Sequence, residues 1–161
     1  MPDRRRIEPG PGQESVWDYP RPPRLERSQR HVTVALGARI VADTTGAYRV
    51  LETSHPPTWY LPAADIDPTA LTRSRARGTV CEWKGLATYW DVLGLPAAGW
   101  SYENPTAGFV AISGFLSFIP ALLDCRIDGE RVRPQDGGFY GGWITDDVVG
   151  PFKGGPGTLG W

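Results

Sequence analysis

Lysine is almost missing from this chain. Of its 17 basic residues only Lys84 and Lys153 are lysines, and the remainder are arginines. Each lysine sits in an aromatic-Lys-Gly triplet, Trp83-Lys84-Gly85 and Phe152-Lys153-Gly154. Cysteine is nearly as scarce: Cys81 and Cys125 are too few for a disulfide scaffold in a chain of 161 residues, which is long enough to bury a core of its own. Neither sign of charge dominates, and a formal charge of −1 excludes a surface given over to binding a polyanion, so no nucleic-acid partner is expected. Long apolar runs are absent too. The longest, from Phe109 to Leu123, is interrupted by Ser113, Gly114, Ser117 and Pro120 and falls short of the ~20 residues a membrane span needs. The start, Met1-Pro2-Asp3-Arg4-Arg5-Arg6, runs into polar sequence rather than the apolar core of an export signal. These absences predict a cytoplasmic protein with reduced thiols and no membrane partner.

What is abundant is turn chemistry and aromatic rings. Twenty glycines and 16 prolines exclude a long-helix protein, while an aromatic content of 11% with seven tryptophans argues against simple disorder. Residues 1–29 are rich in arginine and proline without apolar periodicity, and are read as an extended arm that Val16, Trp17, Tyr19 and Leu25 could anchor. From His31 the pattern becomes period two: Val32, Val34 and Leu36 alternate with Thr33 and Ala35. Ile40 to Ala42, Tyr48 to Leu51 and Thr58 to Leu61 continue as short strands, punctuated by Gly37, Gly46 and Pro56-Pro57. Asp67-Pro68 is a helix start, and Gly78 limits that helix to a few turns. Thr79 to Trp83 and Leu86 to Val92 read as strands, a turn is expected over Gly94 to Gly99, and Phe115 to Ile119 forms a further strand. Asp128-Gly129 between Leu122–Ile127 and Glu130–Arg133 marks a two-residue hairpin. Residues 134–161 are glycine-rich yet carry Phe139, Tyr140, Trp143, Phe152 and Trp161, which predicts a clasp tied down over the domain. The expected architecture is mainly β: two antiparallel sheets in a tent-like or sandwich arrangement, with one or two short helices, over residues 30–133.

Several segments in order carry a resemblance: Arg49-Val50-Leu51-Glu52-Thr53, Pro56-Pro57-Thr58-Trp59-Tyr60-Leu61-Pro62, Cys81-Glu82-Trp83-Lys84-Gly85 with Ala87 and Tyr89, and Trp100-Ser101-Tyr102 followed by Pro105. Over residues 31–133 the chain resembles the bacterial and fungal family catalogued as domain of unknown function 427. Glu82 stands where the family usually has proline, and Phe118-Ile119-Pro120 lacks the family's second aromatic there. The resemblance implies a small, mainly β domain similar to the tent-like sheets of methionine sulfoxide reductase B and the thalidomide-binding domain. It implies positions rather than a reaction. A nucleotidyltransferase label sometimes attached to the family has no counterpart in the residues, because no Gly-Ser motif with paired metal-binding aspartates is present.

Two sets of residues point to chemistry. Cys81 and Lys84 form a nucleophile-and-cation pair, since an ammonium near a thiol favours the reactive thiolate. On a regular strand, residues three apart face opposite ways, so the pair meets only if the chain bends near Gly85. The alternative is a buried cysteine, with Lys84 lying over Trp83 or a neighbouring tyrosine. The second set, Trp59, Tyr60, Trp83, Tyr89, Trp90, Trp100 and Tyr102, either lines a pocket for a flat ring or cation or fills a β core, and about half are expected in the core. Arg49 and Glu52 are either a ligand-orienting pair or a cross-strand ion pair. His55 could assist Cys81. No zinc site is expected from His31, His55, Cys81 and Cys125, which lack Cys-x-x-Cys or His-x-x-x-His spacing, and no cofactor is expected. Arg73, Arg75 and Arg77, with Arg4 to Arg6, read as solvated basic edges rather than phosphate contacts. Gly154-Gly155-Pro156-Gly157 is a turn, not a phosphate loop. Two functions remain: a small-molecule enzyme using Cys81 and Lys84 with Tyr60, Trp83, Tyr89, Trp100 and Tyr102 around the substrate, or a non-catalytic module recognising a cyclic or cationic ligand.

Overall fold

The computed structural model describes residues 6–76, 78–81, 83–137 and 141–161. Arg4, Arg5, Arg77, Glu82, Phe139 and Tyr140 lie outside the described residues.

The alternation from Val32 produces the strand Val32–Leu36, which pairs antiparallel with Arg39–Thr44 on one side and Asp124–Ile127 on the other. Asp128 and Gly129 both adopt positive φ, +50° and +84°, and close the hairpin onto Glu130–Arg131. Such a turn matches the twist of its flanking strands, and aspartate tolerates the left-handed region better than most side chains. The Asp128 carboxylate also accepts from the His31 N–H at 3.0 Å and from Arg30 Nε at 2.8 Å, fixing the turn against the next strand.

A second sheet has the order Leu116–Phe118, Leu95–Ser101, Thr88–Val92, Leu71–Arg73, and a third pairs Arg24–Arg27, Tyr48–Leu51 and Thr58–Tyr60. A single antiparallel bridge between Leu61 and Leu116 links these two. Val32, Val34, Cys125 and Ile127 from the first sheet pack against Val92, Ala98, Leu116, Phe118 and Trp59 from the others in one main core. The mainly β expectation with antiparallel sheets holds. Among the described residues helical structure is limited to four short 3-10 segments, including the turn Pro68–Ala70, where the Asp67 side chain accepts from the Thr69 N–H as a cap should.

Three local expectations are corrected. The turn assigned to Gly94 to Gly99 is only Leu93-Gly94, and the strand Leu95–Ser101 runs through the rest, paired with Thr88–Val92. Leu93 takes φ +48°, a conformation that leucine does not advertise. The strand expected over Thr79 to Trp83 is confined to Val80–Cys81, which pairs with Gly85–Leu86 in a short hairpin. The helix of a few turns expected after Asp67-Pro68 is the single 3-10 turn Pro68–Ala70, and the chain passes directly into the strand Leu71–Arg73, where the Arg73 guanidinium lies 6.0 Å from the Trp90 ring centre; Arg75 lies in a bend.

Both terminal segments, over their described residues, are built into the domain. Arg24–Arg27 is a full edge strand against Tyr48–Leu51, so the segment read as an arm contributes sheet. Glu14–Ser15 pairs with Val148–Val149, the one parallel ladder among the described strands, and Val16, Tyr19, Leu51 and Val148 bury one another there. In the C-terminal segment Trp143 is fully buried, stacks at 6.3 Å on Trp59 and donates its indole N–H to the Phe118 carbonyl at 3.0 Å. Trp161 lies edge-on to Trp17 at 5.3 Å.

Candidate functional site

Strand parity decides which aromatics meet. In the ladder between Tyr48–Leu51 and Thr58–Tyr60, Val50 faces Thr58 and Tyr48 faces Tyr60 on one side, while Arg49 faces Trp59 on the other. Trp59 therefore enters the main core, and Tyr60 turns to a second cluster with Val50, Trp100, Tyr102 and Phe109. In the next sheet Tyr89 is paired with Trp100 and Trp90 with Gly99, so Tyr89 joins Trp100 while Trp90 packs on the main core. Trp83 packs against the second cluster from outside.

Between these side chains lies a cavity of about 270 Å³. Tyr60, Trp100, Tyr102 and Tyr89 form its aromatic walls, and Val50, Thr58 and Ile119 complete the apolar part. Trp100 donates its indole N–H to the Tyr60 hydroxyl at 3.2 Å, the two rings meeting edge to face at 6.3 Å. Burial pushes the phenols of Tyr60 and Tyr102 well above the usual tyrosine value, so both stay neutral hydrogen-bonding groups. The Tyr89 and Thr79 hydroxyls are joined at 2.8 Å.

The Val80–Cys81 hairpin supplies the opposite wall. Because the chain turns back between Cys81 and Gly85, Cys81 and Lys84 both line the cavity despite their spacing. Gly85 takes φ +104°, and a Cβ there would come within 3.3 Å of the Asn104 carbonyl oxygen. Lys84 Nζ lies 5.7 Å from the centre of the Tyr102 ring. Glu52, His55 and Pro56 form one end. Glu52 is bridged to Arg21 at 3.3 Å and stands 3.6 Å from His55 Nε2. Burial, together with the smaller effect of the positive charges of Lys153, Arg21 and Lys84, lowers His55 to about 4, which leaves its imidazole neutral at pH 7.

The C-terminal segment closes the remaining side with Gln135, Gly141 and Gly142. Gln135 is buried, accepts from the Gly142 N–H at 3.1 Å and donates to the Lys153 carbonyl at 2.6 Å. A Cβ on Gly141 would lie 2.2 Å from the Trp100 ring, so glycine is what lets this backbone pass over the indole. Lys153 donates its backbone N–H to the Ser54 carbonyl next to His55.

Arg49 is elsewhere. Three residues from Glu52 on extended chain, it points to the opposite face and pairs with Glu14 and Glu26, whereas Glu52 pairs with Arg21. Neither a ligand-orienting pair nor a cross-strand ion pair between Arg49 and Glu52 is assembled, although Glu52 lines the cavity. His31 is paired with Asp43 at 2.6 Å, and Cys125 is in the main core, its thiol pushed up by burial. Among the described residues no three His, Cys, Asp or Glu side chains converge as a metal site requires. Gln135, Thr58, Thr79, Gly141 and Gly142 are lining residues that the sequence reading did not single out. Only the Gly141-Gly142 doublet, a cue for close backbone approach, carried a signal for them.

Fold and site together define a small antiparallel β-sheet protein with an aromatic-walled cavity between its second and third sheets. The chain belongs to the family described as domain of unknown function (DUF427), whose model matches residues 24–132, more than half of its length. No curated protein matches the sequence. No helix among the described residues is long and apolar enough to cross a membrane.

Proposed function

We propose that this protein binds a small, ring-bearing molecule in the cavity walled by Tyr60, Tyr89, Trp100 and Tyr102, with the Cys81 thiol and the Lys84 ammonium facing it. The observation that carries this reading is convergence: residues from the central strands, the Cys81 hairpin, the Glu52–Pro56 loop and the C-terminal segment all line one space. Ligand sites are typically apolar concavities with a few polar groups placed to orient the guest. At about 270 Å³ the cavity lies just below the usual ~300–1,000 Å³ of such sites, which suits a small guest. The two unpaired cysteines suit a reducing compartment, and we place the protein in the cytoplasm.

A second reading, catalysis through Cys81, is favoured by one observation: the Lys84 ammonium lines the same cavity as the thiol, and a cation there favours the thiolate. Alkylation by iodoacetamide tests both. Cys81 is expected to react while buried Cys125 does not, and molecules that fill the cavity should slow the Cys81 reaction. Indifference of Cys81 to every ring-bearing guest in a fragment set would sink the binding reading. The pH profile of the same reaction separates the two functions: a midpoint well below the ordinary thiol value of ~8.5 supports a nucleophile, and an ordinary midpoint leaves a binding module.

A further inference from the structure

We infer that the guest is an acid: a small ring held among Tyr60, Trp100 and Tyr102, with a carboxylate or equivalent anionic group seated against the Lys84 ammonium. This rests on the ligand-pocket reading and deepens it. Among the described residues lining the cavity, Lys84 and Glu52 are the charged ones, and the Glu52 carboxylate is engaged by Arg21 at 3.3 Å.

A lysine ammonium beside partly buried walls, with the carboxylate of the described lining already paired to Arg21, attracts an anion more strongly than it would in open water. The geometry also weighs against a cationic guest. The position a ligand cation would take, over the Tyr102 ring, is already held by Lys84. The phenols of Tyr60 and Tyr102 are held neutral and so offer an anion hydroxyls rather than repulsion.

The test uses three near-isosteric probes, benzoate, benzamide and benzylamine, titrated into the full-length protein and followed by amide chemical-shift changes. Benzoate is expected to bind at least ~10-fold more tightly than benzamide, as a charge-assisted contact implies, and benzylamine most weakly. Lys84→Met should cost benzoate ~10-fold and leave benzamide unchanged. Benzamide or benzylamine binding as tightly as benzoate overturns the acid assignment while the pocket stands. A benzoate preference that survives Lys84→Met overturns it as well. Failure of all three probes to bind, with Cys81 alkylation unaffected by any of them, removes the pocket reading and this inference together.

Discussion

Lowering the pH from 7 to 4 should unfasten the loop that ends the cavity, through one histidine. His55 is mostly enclosed, its side chain 19% exposed, and its folded value of about 4 lies below the ordinary 6.5. Between those two values the unfolded chain binds a proton that the folded chain refuses, so stability falls as the pH drops through 6.5 and the loss is complete near 4. Two and a half pH units at ~1.36 kcal/mol each amount to ~3 kcal/mol, a large part of the ~5–15 kcal/mol that holds a typical domain. Acidic groups respond in a lower window. Arg39 holds the Asp67 carboxylate down to about 2, and Arg30 lowers that of Asp128; these contributions are present above the ordinary aspartate value of 3.8 and disappear below it. Urea unfolding of the wild type and His55→Gln at half-unit steps from pH 7 to 4.5 isolates the histidine, because everything else is common to both. The wild-type curve should fall more steeply, by up to ~1.4 kcal/mol per pH unit. Parallel curves would refute the reasoning, and so would an imidazole resonance titrating near 6.5.

Two further predictions concern residues on either side of the site. Trp143→Ala should cost ~3–5 kcal/mol in urea unfolding, because it empties a fully buried position against Trp59 and orphans the Phe118 carbonyl; a loss under ~1 kcal/mol would mean that the C-terminal segment is not part of the core. Arg49→Met should cost about 2 kcal/mol, less than a fully buried pair because Glu14 and Glu26 remain partly solvated, and should leave the rate of Cys81 alkylation unchanged, since Arg49 lies on the other face of the sheet; altered alkylation would return it to the site.

Where a feature depends on local chemistry, it was legible in the chain. Asp128-Gly129 announces its turn, Asp67-Pro68 its cap, and the alternation from Val32 its strand, because each is decided by residues within a few positions. What could not be read depends on distant partners. Nothing in Arg24 to Arg27 says that this segment will lie against Tyr48 to Leu51, and nothing in Glu14-Ser15 points to Val148-Val149. The Leu93-Gly94 turn was hidden because a leucine takes a left-handed conformation that only the surrounding ladder enforces. In the site, the conditional bend near Gly85 occurs and brings Cys81 and Lys84 to one cavity. The same parity argument, applied to Arg49 and Glu52, would have separated them without a structure. Gln135 gave no sign, since a lone glutamine becomes a hub only when chain from far downstream folds onto it.

The wall made by Gln135, Gly141 and Gly142 falls outside residues 24–132, the stretch shared with the family. The shared frame therefore behaves like a mould with one side open, and the shape finally cast depends on a separate stretch of sequence. If the proposed pocket binds a ligand, two chains with the same aromatic frame and different closing segments would hold differently shaped guests, and a ligand found for one would not transfer to another until the closing segment had been compared.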